Sequence, residues 1–252
     1  MNTTTSPTSR LPLPQALAGQ SVLIIGGSSG IGLAASRMLV DIGARVILAA
    51  RDADRLATAA AELDQPVQTA QADVTDIASL QALFDTIGQL DHVFVTAGAL
   101  AAGPITSTDA MVVRPMIDSR IWGAYAIAQL AAPRLSAGGS LTFTTSTAVY
   151  RPQPGLAVGA AAVAGVEAMT RALALELAPL RVNAVRPTAT DTPMLRGFMG
   201  GADDATVAAA FAGLPLGRVA RPEEVAAAGL FCMANSYVTG SVIVVDGGAS
   251  LV

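Results

Sequence analysis

The stretch "SVLIIGGSSGIGLAAS", residues 21–36, constrains this chain more than any other. Ser21 to Ile25 is an apolar run of the length of a buried strand, and "IGLAASRMLVDIG" reads as a helix closed by Gly43. Between them stand Gly26, Ser28, Ser29, Gly30, Ile31 and Gly32. Glycine here lets the backbone turn tightly and lets a pyrophosphate come close. The exposed N–H groups and the helix N-terminus then hold negative charge. A glycine trio alone is compatible with a tight strand–helix turn. A strand before it, a helix after it and a second strand, "ARVILAAR", at the right distance favour a dinucleotide site.

The same alternation continues to the C-terminus. "DADRLATAAAEL" is a helix, "VQTAQADV" a strand, "ASLQALFDTIG" a helix and "LDHVFVTAG" a strand. "MIDSRIWGAYAIAQLAAPRL" reads as one long helix and "GGSLTFTTS" as a strand. "GLAVGAAAVAGVEAMTRALALELAPLRVNAV" is a helix running into a strand, and "PEEVAAAGLFCMA" and "GSVIVVDGG" close the chain. Continuous apolar strands between helices predict an α/β fold: a single Rossmann-type doubly wound parallel sheet with helices on both faces. The expected division is an N-terminal tail, residues 1–16, mobile up to about Pro14, and one domain, residues 17–252.

Composition removes several classes of function. The formal net charge is −4, which argues against nucleic acid as a partner. A single cysteine, Cys232, and a single histidine, His92, cannot build a metal cluster, so no metal is expected. Cys232 is expected in the core, and His92, beside Asp91 at a strand start, at the surface. No uninterrupted apolar run reaches the roughly 18 residues of a membrane span. A cytoplasmic protein without membrane partner is expected. All fifteen basic residues are arginines; the chain contains no lysine.

The end of the second strand selects the cofactor. An acidic residue there would accept the 2′-hydroxyl of NAD and repel a 2′-phosphate. This chain has "LAARDADR", with Arg51 at that point and Arg55 one turn on. Arg51 suits a phosphate, while Asp52 and Asp54 suit helix-start roles. NADP(H) is therefore expected ahead of NAD(H).

These residues at this spacing resemble the short-chain dehydrogenase/reductase family from about Leu17 to the C-terminus. "GGSSGIG" is similar to its glycine motif, and Asp73 and Val74 of "ADVTD" to its adenine-contacting segment. Ala97 and Gly98 of "VTAG" are similar to the end of its Asn-Asn-Ala-Gly motif, with Val95 and Thr96 in place of both asparagines. "RVNAVRPTATDTPM" resembles the segment that holds the nicotinamide amide, with Pro187, Thr190 and Thr192, and with Thr188 where glycine is usual. The resemblance implies a Rossmann-type oxidoreductase, commonly a homotetramer; a homotetramer or homodimer is expected.

The family works through Asn, Ser, Tyr and Lys, with Tyr and Lys four apart on one helix face. The resemblance puts Gly159 at the Tyr position, Val163 at the Lys position, Ser146 at the Ser position and Arg120 at the Asn position. Only the serine remains. Arg120 is a candidate fixed charge for a developing oxyanion. Tyr150, four residues after Ser146, is a candidate acid or pocket wall, with Arg151 or Arg120 as the neighbour that would tune it. Ser146, Arg120 and Tyr150 are thus the catalytic candidates. "MLRGFMGGADDATVAAAFAGLP" reads as a lid with Gly197, Gly200 and Gly201 as hinges, and Leu195, Phe198 and Met199 favour a hydrophobic substrate. The expected function is an NADP(H)-dependent reductase with a non-standard site, acting on a hydrophobic activated acceptor: an iminium, a conjugated enone or a carbonyl. The alternatives are a catalytically silent NADP(H)-binding protein and a non-redox cyclase or lyase on the same fold.

Overall fold

A computed structural model describes residues 14–252. Residues 1–13 of the expected tail lie outside the described residues. Gln15 and Ala16, the last residues of that expected tail, form a 3-10 turn with Leu17, the first residue of the expected domain, which is buried.

Seven strands make one parallel sheet: β1 (Ser21–Ile25), β2 (Arg45–Ala50), β3 (Gln68–Gln71), β4 (Leu90–Val95), β5 (Leu135–Thr144), β6 (Arg181–Pro187) and β7 (Val242–Val245). Their order is β3-β2-β1-β4-β5-β6-β7. The chain winds outward from β1 to one edge, returns to β4 beside β1, and winds to the other edge. The reversal leaves a crevice at the carboxyl ends of β1 and β4, where such sheets bind ligands. The helices are α1 (Gly30–Ile42), α2 (Ala53–Ala61), α3 (Ile77–Thr86), α4 (Ala110–Ile117), α5 (Gly123–Ala131), α6 (Ala157–Glu176), α7 (Pro193–Phe198), α8 (Asp204–Phe211) and α9 (Pro222–Ala234).

Strand side chains alternate between the faces. Leu23, Ile25, Val93, Val95, Leu141 and Phe143 face a core closed by α3, α5 and α6. Val22, Ile24, Val46, Leu48 and Phe94 face the other, closed by α1, α2 and α9. The expected long helix before β5 begins earlier, at Ala110, and is interrupted by a π-helical turn, Asp118–Trp122, between α4 and α5. Helix α6 is long and apolar enough, by length and composition, to cross a membrane. It carries Glu167, Arg171 and Glu176, and its buried face, from Gly159 through Val163, Val166 and Thr170 to Ala174, packs within the fold.

His92 corrects a surface expectation. It is 3% exposed, with Nδ1 2.7 Å from Ser140 Oγ and Nε2 2.6 Å from Gln20 Oε1. Burial, and the charge of Arg181, push its pKa down to about 4. Cys232 is fully buried, as expected of a core thiol, and burial pushes its pKa up to about 12.

Candidate active site

The glycine segment is a close three-way contact. Gly26 has φ +98°, and a Cβ there would lie 2.6 Å from the Ala97 backbone nitrogen. A Cβ on Gly32 would lie 2.2 Å from the Gly26 carbonyl oxygen. Thr96 Oγ1 donates across this junction to the Ile25 and Gly26 carbonyls at 3.2 Å. The turn after β1 is thus pressed against the Thr96–Gly98 segment after β4, with the Thr96 hydroxyl bridging the two. Thr192 closes the other side, with its methyl against Gly30.

The head of α1 is open. Helices α2, α3, α4, α7 and α8 are each capped by a side chain: Asp52, Asp76, Asp109, Thr192 and Asp203. Ser29, at the N-cap of the 13-residue α1, makes no side-chain cap. The first-turn N–H groups therefore keep their capacity for an anion. A backbone cradle that a Cβ would fill, at an uncapped helix start, fits a dinucleotide pyrophosphate.

Arg51 sits exposed just past β2, and only its backbone carbonyl is engaged, by Gln71 Nε2 at 2.8 Å. Its guanidinium has no hydrogen-bond or ion-pair partner among the described residues. Asp52 is turned away to cap α2, accepting from the Arg55 N–H at 3.0 Å. Asp73 is occupied locally: its Oδ1 accepts from the Thr75 N–H (2.9 Å) and hydroxyl (2.8 Å). The Val74 carbonyl lies against Gly123, where a Cβ would come within 2.8 Å. Pro187 ends β6, and Thr190 is buried and donates to the Thr188 carbonyl at 3.0 Å.

The second part of the site lies where β5, α4 and α6 meet. Ser146 N-caps a single 3-10 turn, Thr147–Val149, and Tyr150 C-caps it. Ser146 Oγ accepts from the Ala148 N–H at 3.3 Å, which leaves its own proton free to donate. Arg120 projects from the π-helical turn, and its Nη1 donates to the Thr144 carbonyl (3.1 Å) and hydroxyl (3.4 Å). Its guanidinium covers Gly98: a Cβ there would lie 2.2 Å from Cζ. It is partly buried, and desolvation lowers its pKa to about 10. Thus Arg120 reaches both the Ala97–Gly98 segment and the end of β5 that leads into Ser146.

Helix α6 supplies no reactive group at the two positions in question. Gly159 and Val163 are buried. The space over Gly159 holds Met116 of α4, whose Cε would lie 2.4 Å from a Cβ at residue 159. Ile121 fills the same kind of gap at Gly165, at 2.6 Å. The small residues of α6 let α4 and the π-helical turn pack closely.

Tyr150 has a different neighbour from those expected. Arg151 Nη1 donates to the Ala249 carbonyl at 2.6 Å, and Arg120 is held at Thr144. Arg186 of β6 stacks on the Tyr150 ring instead, with Cζ 4.1 Å from the centroid. Arg186 is itself buried and pairs with Glu167 of α6, Nε to Oε1 at 2.7 Å; Thr145 Oγ1 donates to the same carboxylate oxygen at 3.0 Å. Sequence reasoning missed this Tyr150–Arg186–Glu167–Thr145 chain. Its only signal was a carboxylate and a guanidinium on two apolar elements.

The α7–α8 excursion is pinned by Arg196, which pairs with Asp191 (2.7 and 2.8 Å) and with Asp204 (2.8 Å). Gly200 and Gly201, both at positive φ, link the two helices. Gly197 lies inside α7, which corrects its reading as a hinge. A cavity of about 230 Å³ opens here, lined by Asp191, Arg196, Asp204 and Arg218 among others, and none of Arg120, Ser146 and Tyr150 lines it. Among the described residues no cluster of His, Cys, Asp and Glu could hold a metal.

An open parallel sheet with a bare-backbone turn at its reversal defines a Rossmann-type α/β protein. A family model described as Enoyl-(Acyl carrier protein) reductase matches residues 26–250. The relative "Short-chain dehydrogenase/reductase ATR9" of Stachybotrys chlorohalonatus is 37% identical over 93% of this chain and 98% of its own length. The solved structure of the MalC reductase/Diels-Alderase of Malbranchea aurantiaca superposes with a TM-score of 0.87 at 30% identity, over 96% of this chain and 100% of that one. A small-chain dehydrogenase solved in complex with NADPH gives a TM-score of 0.78 at 34% identity, over 92% and 99% of the two chains. This chain belongs to the short-chain dehydrogenase/reductase family.

Proposed function

We propose that the protein is an NADP(H)-dependent reductase with a non-standard active site, acting on a hydrophobic acceptor that is already activated. One observation supports this reading: the glycine turn after β1 leads into an uncapped helix start, while α6 carries the buried Gly159 and Val163, with Met116 over the glycine, at the positions where the family's Tyr and Lys would stand. The cofactor, when bound, supplies hydride. Gly26, Gly30 and Gly32 would take its pyrophosphate, Arg51 its 2′-phosphate, and Thr190 and Thr192 its nicotinamide end. Arg120 and Ser146 place a charge and a hydroxyl at the acceptor. Arginine is a poor proton donor, so an acceptor whose reduction needs no prompt protonation suits this pocket better than a plain ketone.

Loss of NADPH absorbance with at least one member of an iminium, enone and carbonyl panel is the expected result; no turnover with any of them removes the reading. In cofactor titrations NADPH binds more tightly than NADH, and Arg51→Ala narrows the gap about tenfold. The 30% identical MalC reductase/Diels-Alderase favours one second reading, a cyclisation in the same pocket. Product formation without NADPH loss distinguishes it. The same proposal places the protein in the cytoplasm as a homotetramer or homodimer, which light scattering tests for assembly.

A further inference from the structure

Arg186 pairs with Glu167 and Arg196 with Asp191 and Asp204, while Arg181, which has no carboxylate, donates to the carbonyls of Met233 and Asn235 at the end of α9 and keeps a buried Nε without a partner among the described residues. Arg120 also lacks a carboxylate. Its Nη1 is engaged by Thr144, but no carboxylate lies within 4 Å among the described residues, and Nε and Nη2 have no hydrogen-bond partner there. Those two nitrogens lie over Gly98, where a Cβ would come within 2.3 and 2.6 Å of them. Glycine at 98 is thus what allows the guanidinium to lie flat on the Ala97–Gly98 segment, at the point where the β5 end turns into Ser146.

A fixed cation without a counter-ion discriminates between electrophiles by the charge each gains or loses. An iminium enters positive and leaves neutral, so Arg120 opposes its binding. A conjugated enone enters neutral and becomes an enolate, so the same charge is better matched to the transition state than to the ground state. An isolated ketone becomes an alkoxide, whose charge is confined to an oxygen far more basic than the oxygen of an enolate, and which needs the acid that Gly159 cannot provide. Resting on the reductase reading above, we infer that the acceptor is a neutral conjugated enone whose carbonyl oxygen is received by Arg120 and Ser146. The β-carbon gains a hydride whose electron pair comes from C4 of the dihydronicotinamide, which becomes the pyridinium. The alkene π pair moves to form the enolate, with its charge on the oxygen facing Arg120. A water proton then closes the α-carbon and leaves hydroxide to the solvent.

The test compares 2-cyclohexen-1-one with 2-methyl-3,4-dihydroisoquinolinium as acceptors for the full-length protein with NADPH. The expected result is a higher kcat/KM for the enone, and a fall in the enone-to-iminium ratio of about 100-fold in Arg120→Gln. A wild-type preference for the iminium overturns the inference without any variant. A binding measurement stands apart from turnover: calorimetry of the NADP+-saturated protein with 4-nitrophenolate, an enolate-like anion. It should bind at least about tenfold more weakly to Arg120→Gln, while Arg120→Lys, which keeps the charge, loses less. Equal phenolate affinity in wild type and Arg120→Gln overturns the inference as well. NADPH oxidation by the iminium alone refutes the enone and leaves the reductase standing; oxidation by no acceptor refutes both.

Discussion

The turn after β1 and the face of α6 are both made of small residues, for opposite reasons. At Gly26 and Gly32 a side chain is missing because two backbone segments meet: a Cβ would strike the Ala97 nitrogen or the Gly26 carbonyl, which cannot swing aside, as well as the Thr96 hydroxyl that bridges them. At Gly159 and Gly165 it is missing because another helix reaches in, and the obstacles are the far ends of Met116 and Ile121. The first kind of absence leaves the peptide N–H groups at the head of α1 bare of side chains. The second makes a wall. What remains polar around that wall comes from neighbouring elements: Arg120 from a π-helical turn, Ser146 and Tyr150 from the two ends of one 3-10 turn, and Arg186 from β6.

The largest effect is expected on the wall side, where α6 is tied to β6. Arg186→Met leaves the Glu167 carboxylate buried without its guanidinium, and breaking one member of such a pair costs about 3–5 kcal/mol. Urea unfolding should show that loss, and Arg186→Met combined with Glu167→Leu should recover most of it. A single variant as stable as wild type would mean that α6 is held on the sheet by packing alone. His92 lies near the amino-terminal ends of the central strands, away from both regions, joining Gln20 before β1 to Ser140 of β5. Its folded pKa of about 4 lies below the unfolded value of 6.5. Stability is therefore full above pH 6.5 and is lost as pH falls from 6.5 through 4, by about 3 kcal/mol in total. His92→Gln should flatten that stretch of the pH profile; an unchanged slope would assign it to other groups. On the cradle side, Gly32→Ala drives a methyl group into the Gly26 carbonyl at 2.2 Å. NADPH should bind about 100-fold more weakly, equivalent to about 2.7 kcal/mol. Binding within a few-fold of wild type would show that the turn can open.

The contrast also explains what could be read in advance. The strand–turn–helix order and the sheet follow from apolar runs and glycine punctuation, which are local signals. Asp52 at a helix start declares its cap within three residues, and the structure uses it so. The pair of Glu167 and Arg186 spans 19 residues and depends on how α6 lies over β6, which no local pattern reports. Tyr150 has Arg151 beside it in sequence and Arg120 in the same site, yet the guanidinium over its ring is that of Arg186, on a strand distant in sequence. His92 looked like a surface residue because its partners are 72 and 48 residues away. The interruption of the α4–α5 helix by a π turn has no mark in the sequence beyond Pro115, yet it is the turn that carries Arg120.

The smallest effect bears most directly on the vacated position. Gly159→Ala adds a methyl group 2.4 Å from Met116 Cε, which is the end of a flexible side chain and can retreat. The displacement costs about 1 kcal/mol, while alanine in a helix interior gains about as much over glycine. The single variant should thus lie close to wild type in stability. In a Met116→Ala background the crowding is gone and only the helix preference remains, so the same substitution should stabilise by about 1 kcal/mol. A double-mutant cycle read by thermal or urea unfolding isolates that difference, because the cost of losing Met116 itself cancels. A coupling near zero would place Met116 elsewhere in solution and reopen the space over Gly159. A coupling of about 1 kcal/mol would mean that a tyrosine restored at 159 must first displace Met116, so the wall belongs to α4 as much as to α6.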